Sequence, residues 1–164
     1  QSTWGFKSSV MADTNETCGK FEAEVEIRES AEKFFNAFAT KAESFPDALE
    51  LVHDIALREG DWHEHGAIKC WTYTTLEGEK EVFWERQEID HENKVISMIG
   101  IKGHVMDSCK SYKISFSCLS GVDPPVVRVT IDYELLTPDH PLPNKYLPCL
   151  VKLVKEIDAH IAYW

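Results

Sequence analysis

The sequence predicts an α+β domain in which a curved, seven-stranded antiparallel sheet wraps one long C-terminal helix. Three observations carry that prediction. The stretch Leu142 to Ile161 repeats apolar residues at three- and four-residue spacing, which makes a helix with one face in need of a partner. Upstream, runs such as Phe21, Ala23, Val25 and Ile27 alternate with charged residues at the two-residue period of half-buried strands. The connections Glu77-Gly78 and His91-Glu92-Asn93 are of hairpin length, so consecutive strands pair antiparallel.

At 164 residues the chain is long enough for one domain with a sizeable core. Its composition, 43% hydrophobic and 27% charged, is that of a globular protein. Acids outnumber bases 28 to 17, and a formal charge of −11 argues against a nucleic-acid partner, whose binding rests on clustered Lys and Arg. The five cysteines (Cys18, Cys70, Cys109, Cys118, Cys149) are scattered and odd in number, with no C-x-x-C pair, so neither a disulfide framework nor a zinc site is expected. No apolar run reaches membrane-span length and no secretion signal opens the chain, so the expected location is cytoplasmic and no membrane partner is expected. In that setting the Asn15-Glu16-Thr17 sequon is a chance match.

Taken in order, Gln1 to Val10 has no periodicity and Met11-Ala12-Asp13 resembles a natural start. Residues 1–18 are therefore expected to be a disordered or appended segment, and residues 19–164 one domain. Phe21 to Ile27 is the first strand. Ser30 caps a short helix carrying Phe34, Phe35 and Phe38. Thr40 and Glu43 make a capping box for a second short helix, which Phe45-Pro46 ends. Leu51 to Leu57 is the second strand and leads into a turn-forming run, Gly60 to Gly66. Four strands follow: Ala67 to Thr75, Lys80 to Glu88, Lys94 to Ile101, and a long one from about His104 to Cys118. The last runs from Val127 to Leu135, with Arg128, Thr130, Asp132 and Glu134 outward. On the final helix Tyr146, Leu147, Leu150, Val151, Val154, Ile157 and Ile161 form the apolar stripe, with Lys145, Lys152, Lys155, Glu156 and Asp158 opposite. Pro148 falls about a turn inside it, so a kink or irregular first turn is expected there.

The joint order of Gly19-Lys20-Phe21-Glu22-Ala23-Glu24-Val25-Glu26-Ile27, Glu59-Gly60-Asp61-Trp62, Ile68-Lys69-Cys70-Trp71-Thr72-Tyr73, Lys110-Ser111-Tyr112-Lys113 and Pro143-Asn144-Lys145-Tyr146-Leu147 resembles the plant major latex proteins, of the pathogenesis-related class 10 (birch-pollen-allergen-like) superfamily. The resemblance implies a sheet gripping the C-terminal helix, two short helices, and a large internal cavity. It also implies carriage of hydrophobic or amphipathic small molecules, plant specialised metabolites or hormones. Two departures narrow it. Only Gly60 and Gly66 remain where the allergen branch has a glycine-rich loop, and the gate and latch strings of the related abscisic-acid receptors are absent. Partners are then a hydrophobic ligand or substrate and the upstream enzymes of its pathway, with the chain a monomer or weak dimer.

Alternation and the resemblance together turn Trp71, Tyr73, Met98, Met106, Tyr112, Ile114, Phe116 and Tyr133 inward, and Val82 and Trp84 with them. Tyrosine and tryptophan tips in an apolar wall are how a pocket orients a guest. Tyr146, Leu147, Leu150 and Val154 close that pocket from the helix, and Lys110 shares the parity of Tyr112. Some relatives are enzymes, which makes a cofactor-free cyclase or isomerase the alternative function. His104 falls near the place of the catalytic tyrosine of norcoclaurine synthase, so His104 and Tyr112 are the candidate acid–base residues. No nucleophile–base string, dinucleotide fingerprint or P-loop occurs, so no cofactor is expected. Asp61, His63, Glu64 and His65 could ligate a metal, but an exposed turn lacks a rigid frame, and the expectation is a solvated loop at the pocket mouth with no metal.

Overall fold

The computed structural model describes residues 17–164. Residues 1–16 of the predicted N-terminal segment lie outside the described residues, and Cys18 opens the first strand. Seven strands form one antiparallel sheet: β1 (Cys18–Glu26), β2 (Val52–Glu59), β3 (Ile68–Thr74), β4 (Lys80–Asp90), β5 (Val95–Gly103), β6 (Cys109–Leu119) and β7 (Val126–Leu135). Their order across the sheet is β1-β7-β6-β5-β4-β3-β2. Consecutive strands from β2 to β7 are neighbours through short turns, and β1 adds to β7 with Phe21 opposite Ile131. Among the described residues no helix is long and apolar enough to cross a membrane.

Helix α1 (Ala31–Thr40) starts as expected, with Ser30 Oγ accepting the Lys33 N–H at 3.2 Å. The capping box at Thr40 and Glu43 does not form, because Thr40 Oγ1 donates back to the Asn36 carbonyl at 2.6 Å. Instead Ala42–Ser44 makes a 3₁₀ turn that runs directly into α2 (Phe45–Ala48). Pro46 lies in the first turn of α2, where its missing N–H costs nothing, so it starts this helix instead of ending one. α1 and α2 drive aromatic rings into one end of the sheet's concave side. Phe38 meets Phe116 at 4.8 Å and Phe45 at 5.2 Å, and Phe45 reaches Trp71 at 6.3 Å.

The long helix α3 spans Tyr146–His160, after a 3₁₀ turn at Pro143–Lys145. The irregular turn therefore precedes the helix. Pro148 is the third helical residue, among the first four whose N–H groups have no intrahelical partner, and it needs no kink. Tyr146, Leu147, Leu150, Val151, Leu153, Val154 and Ile157 are buried against the sheet. Asp158, expected on the wet face, is 8% exposed. Its Oδ2 accepts the Arg28 N–H at 2.9 Å and its Oδ1 the Glu29 N–H at 3.0 Å, so the helix holds the chain just ahead of the α1 cap.

The long strand predicted from His104 starts later. His104–Asp107 forms a 3₁₀ turn after Gly103, whose φ of 128° is left-handed and where a Cβ would run into the Val82 carbonyl and the Phe83 backbone. The β5–β6 ladder correspondingly stops at Ile99 opposite Lys113.

Candidate functional site

Beyond the aromatic cluster, the concave side keeps a cavity of about 80 Å³. β3 supplies Trp71, Tyr73 and Thr74; β4 to β6 supply Phe83, Met98, Tyr112 and Ile114. The α2–β2 segment supplies Leu49, Leu51 and Val52, the 3₁₀ turn supplies Val105, and α3 supplies Tyr146, Cys149, Leu150, Leu153 and Glu156. This is far smaller than the large cavity expected, and about half of the roughly 150 Å³ in which a purely apolar cavity holds benzene. Next to it the concave side is filled by the Phe38, Phe45 and Phe116 rings.

The cavity wall is almost wholly apolar, and behind its Tyr73 and Tyr146 a carboxylate organises a polar cluster. Glu81 Oε1 accepts from Tyr146 Oη at 2.6 Å and Tyr73 Oη at 3.0 Å, while Oε2 receives Lys145 Nζ at 3.1 Å. Burial alone would push the Glu81 carboxyl up, but the hydrogen bonds from Tyr146, Lys145 and Tyr73 outweigh it and hold the group below the ordinary carboxylate range. Burial first, then Tyr146 and Glu81 in the case of Tyr73 and the Glu81 hydrogen bond and charge in the case of Tyr146, raises both far above the usual phenol value, so both stay neutral. Because both hydroxyls donate to Glu81, their oxygens are left to accept from a guest. Tyr112, raised well above the ordinary value by burial, has its ring edge-on to Phe83 at 5.7 Å and to Tyr146 at 6.2 Å. Among the described residues its hydroxyl makes no hydrogen bond.

Of the residues predicted from sequence, Trp71, Tyr73, Met98, Tyr112, Ile114, Tyr146 and Leu150 line this cavity. Leu147, Val154 and Phe116 are buried in the core beside it, Phe116 against Phe38. Met106 packs over Gly100, and Tyr133 stacks on Phe21 at 5.4 Å and covers Gly19. Four residues, Trp84, Val82, Lys110 and His104, face away. Trp84 lies on the outer face between Lys102, 4.0 Å from its ring, and Arg58 at 5.3 Å. The phase of β4 is opposite to the one predicted: Glu81, Phe83, Glu85, Gln87 and Ile89 are buried, and Val82 is not. Lys110 sits at a bulge, its side chain 62% exposed and 3.3 Å from Glu134. His104 is exposed, and its Nδ1 accepts the Val82 N–H at 3.0 Å, so the ring serves the backbone outside the cavity.

The loop 60–66 is not simply solvated. His63 is held between the Ala39 carbonyl, 3.1 Å from Nδ1, and Glu43, 2.9 Å from Nε2, while His65 Nδ1 accepts the Ile89 N–H at 3.2 Å. Both imidazoles are thus engaged as struts. No cluster of three or more His, Cys, Asp or Glu with metal-binding geometry occurs among the described residues. Sequence reasoning missed Glu81, Glu85 and Lys69, all on the inward face; the signal was their shared parity with Phe83 and Trp71.

Comparison with known proteins agrees with this architecture. The pathogenesis-related protein Bet v 1 family profile matches residues 16–163. MLP-like protein 328 of Arabidopsis thaliana is 35% identical over 147 residues, which is 88% of this chain and 97% of that protein. The crystal structure of ginseng major latex-like protein 151 from Panax ginseng superposes with a TM-score of 0.83 at 25% identity, covering 88% of this chain and 97% of the other. A norcoclaurine synthase from Thalictrum shares the fold alone, with a TM-score of 0.70 at 16% identity over 96% of this chain and 98% of its own. With the family profile spanning nearly every described residue, the chain belongs to the pathogenesis-related protein Bet v 1 family, among relatives of the MLP-like group.

Proposed function

We propose that this protein binds small hydrophobic molecules carrying a hydroxyl, in the cavity between α3 and the sheet. The observation that supports the reading is the asymmetry of the wall: aromatic and aliphatic nearly throughout, with two tyrosine oxygens fixed at one end by Glu81. Such a wall buries an apolar body and orients it by one polar contact. At about 80 Å³, a guest of even one ring requires α3 or the α2–β2 segment to move outward, so binding is coupled to opening.

A neutral fluorescent probe, N-phenyl-1-naphthylamine, tests this. Saturable micromolar binding is expected in the wild type and loss of it in Leu150→Phe, which fills the cavity while circular dichroism stays native. Tyr73→Phe should leave apolar competitors unaffected and weaken hydroxylated ones several-fold. Absence of saturable binding to the wild type refutes the reading.

The alternative, a cofactor-free cyclase or isomerase working in the same cavity, is favoured by Tyr112 alone. A neutral phenol lining an apolar cavity with no protein acceptor can donate to a developing oxyanion. Comparing stereoisomer ratios of a reactive intermediate with and without protein, and with Tyr112→Phe, separates this from carriage.

A further inference from the structure

The concave side of β3 and β4 carries a second polar position that the cavity does not reach. The cross-strand pairs Tyr73–Glu81, Trp71–Phe83 and Lys69–Glu85 follow one another along the two strands. Successive pairs lie about 7 Å apart, two residues of strand rise. Tyr73 and Trp71 with Phe83 belong to the cavity wall, while Lys69 and Glu85, one pair further along the strands, do not line it.

Glu85 is 1% exposed. Its Oε2 accepts the Trp71 indole N–H at 3.0 Å. Its Oε1 is, among the described residues, the one side-chain nitrogen or oxygen sealed from all accessible surface that has no hydrogen-bond partner. The nearest cation does not supply one, because Lys69 Nζ donates to Gln87 Oε1 at 2.8 Å and lies 5.1 Å over the Trp62 ring. Access from outside is closed: Gln87 Nε2 donates to the carbonyls of Trp62 and Glu64, and His63 ties the same loop to Ala39 and Glu43. Trp71 both lines the cavity and bonds Glu85, so a guest seated in the cavity would have to pass its indole to reach Oε1.

In its ionised form the carboxylate oxygen can only accept, so what completes that form is a donor. A positive donor fits the local charge, since Lys69 faces two carboxylates, Glu85 and Glu43. From this we propose that Glu85 Oε1 receives a protonated amine borne by a hydrophobic guest, with the apolar body in the cavity and the ammonium group about 7 Å further on, past Trp71. Trp71 keeps Oε2, so the indole fixes the carboxylate while the guest takes the free oxygen. The inference rests on the cavity-binding reading and adds to it a second, anionic subsite.

It also predicts a proton. Desolvation pushes Glu85 up to about 7, against the weaker pull of the Trp71 hydrogen bond and the Lys69 charge, so the empty site is partly protonated at neutral pH. An ammonium group arriving at Oε1 favours the ionised form and expels that proton to solvent.

The test is calorimetry near neutral pH with 4-phenylbutylamine, 4-phenyl-1-butanol and butylbenzene, run in phosphate and in Tris so that proton release shows as a buffer-dependent heat. The wild type should bind the amine about tenfold more tightly than the alcohol, the scale of one charge-assisted hydrogen bond. Roughly half a proton should be released per amine at about pH 7. Benzylamine, too short to reach Glu85, should show no preference. Glu85→Gln should abolish both the preference and the proton release while leaving butylbenzene affinity unchanged. Should that variant fail to fold, the infrared band of the protonated Glu85 carboxyl in the wild type must vanish on adding the amine. The subsite is overturned if butylbenzene binds with no amine preference, if Glu85→Gln retains the preference, or if the carboxyl band persists. If none of the three probes binds, the cavity reading itself falls.

Discussion

Replacing Glu85 by Gln should change how stability depends on pH, and the size of the change follows from burial. The carboxyl is pushed from its ordinary value of 4.5 to about 7 in the folded protein, chiefly by desolvation. Each unit corresponds to about 1.4 kcal/mol, so the folded state holds this proton more tightly by about 3 kcal/mol. Because the folded value is the higher one, that stabilisation is complete below about pH 4.5 and is lost as pH rises through about 7. Glu81 works in the opposite sense, its stabilisation being present above the ordinary carboxylate value and lost below it, but it is common to both proteins and cancels. Urea unfolding at intervals from about pH 5 to about pH 8 should show the wild type losing about 2 to 3 kcal/mol relative to Glu85→Gln. The slope is the reading, since the offset also contains the loss of a charge near Lys69. Two profiles that stay parallel across this range would refute the account of Glu85 as a buried, proton-holding carboxyl.

Two further substitutions test the frame around the site. Asp158→Ala removes both acceptors for the Arg28 and Glu29 amides and should cost about 2 to 4 kcal/mol in urea unfolding, with Asp158→Asn costing less; no change would show that the α3 clamp contributes nothing. Gly103→Ala puts a Cβ into the Val82 carbonyl at a φ of 128° and should lower stability by about 1 to 3 kcal/mol, which thermal melting would register; an unshifted midpoint counts against a left-handed requirement there.

Alternation made β1, β6 and β7 legible because Ala23, Val25, Phe116, Val129 and Ile131 are buried and apolar in strict period. It failed on β4 because the concave side there is built from Glu81, Glu85 and Gln87, each held by partners on other segments that hydropathy cannot see. Val82 and Trp84 then look like the apolar face, although Trp84 is covered from outside by Arg58 and Lys102. Phe83 and Ile89 share the parity of the buried acids and were the signal available. The start of β6 is hidden for a related reason: a left-handed Gly103 and a 3₁₀ turn leave no period to read, and the strand begins at Cys109 instead of His104. Cavity size was illegible because it depends on how closely α2, α3 and the 3₁₀ turn at His104–Asp107 approach the sheet, a matter of element placement rather than residue type.

The clamp at Asp158 has a consequence for how the molecule is made. β1 pairs with β7, residues 18–26 against 126–134, and Asp158 ties α3 to residues more than 120 positions earlier. Closing such loops brings no reward until both ends exist, and topologies dominated by distant pairings fold on the slow side, in roughly milliseconds to seconds. During synthesis the meander from β2 to β6 can zip as it emerges, but β1 must wait, its edge unpaired, until β7 has left the ribosome. Its alternating Glu22, Glu24 and Glu26 place like charges along that waiting edge and disfavour pairing with another copy of itself.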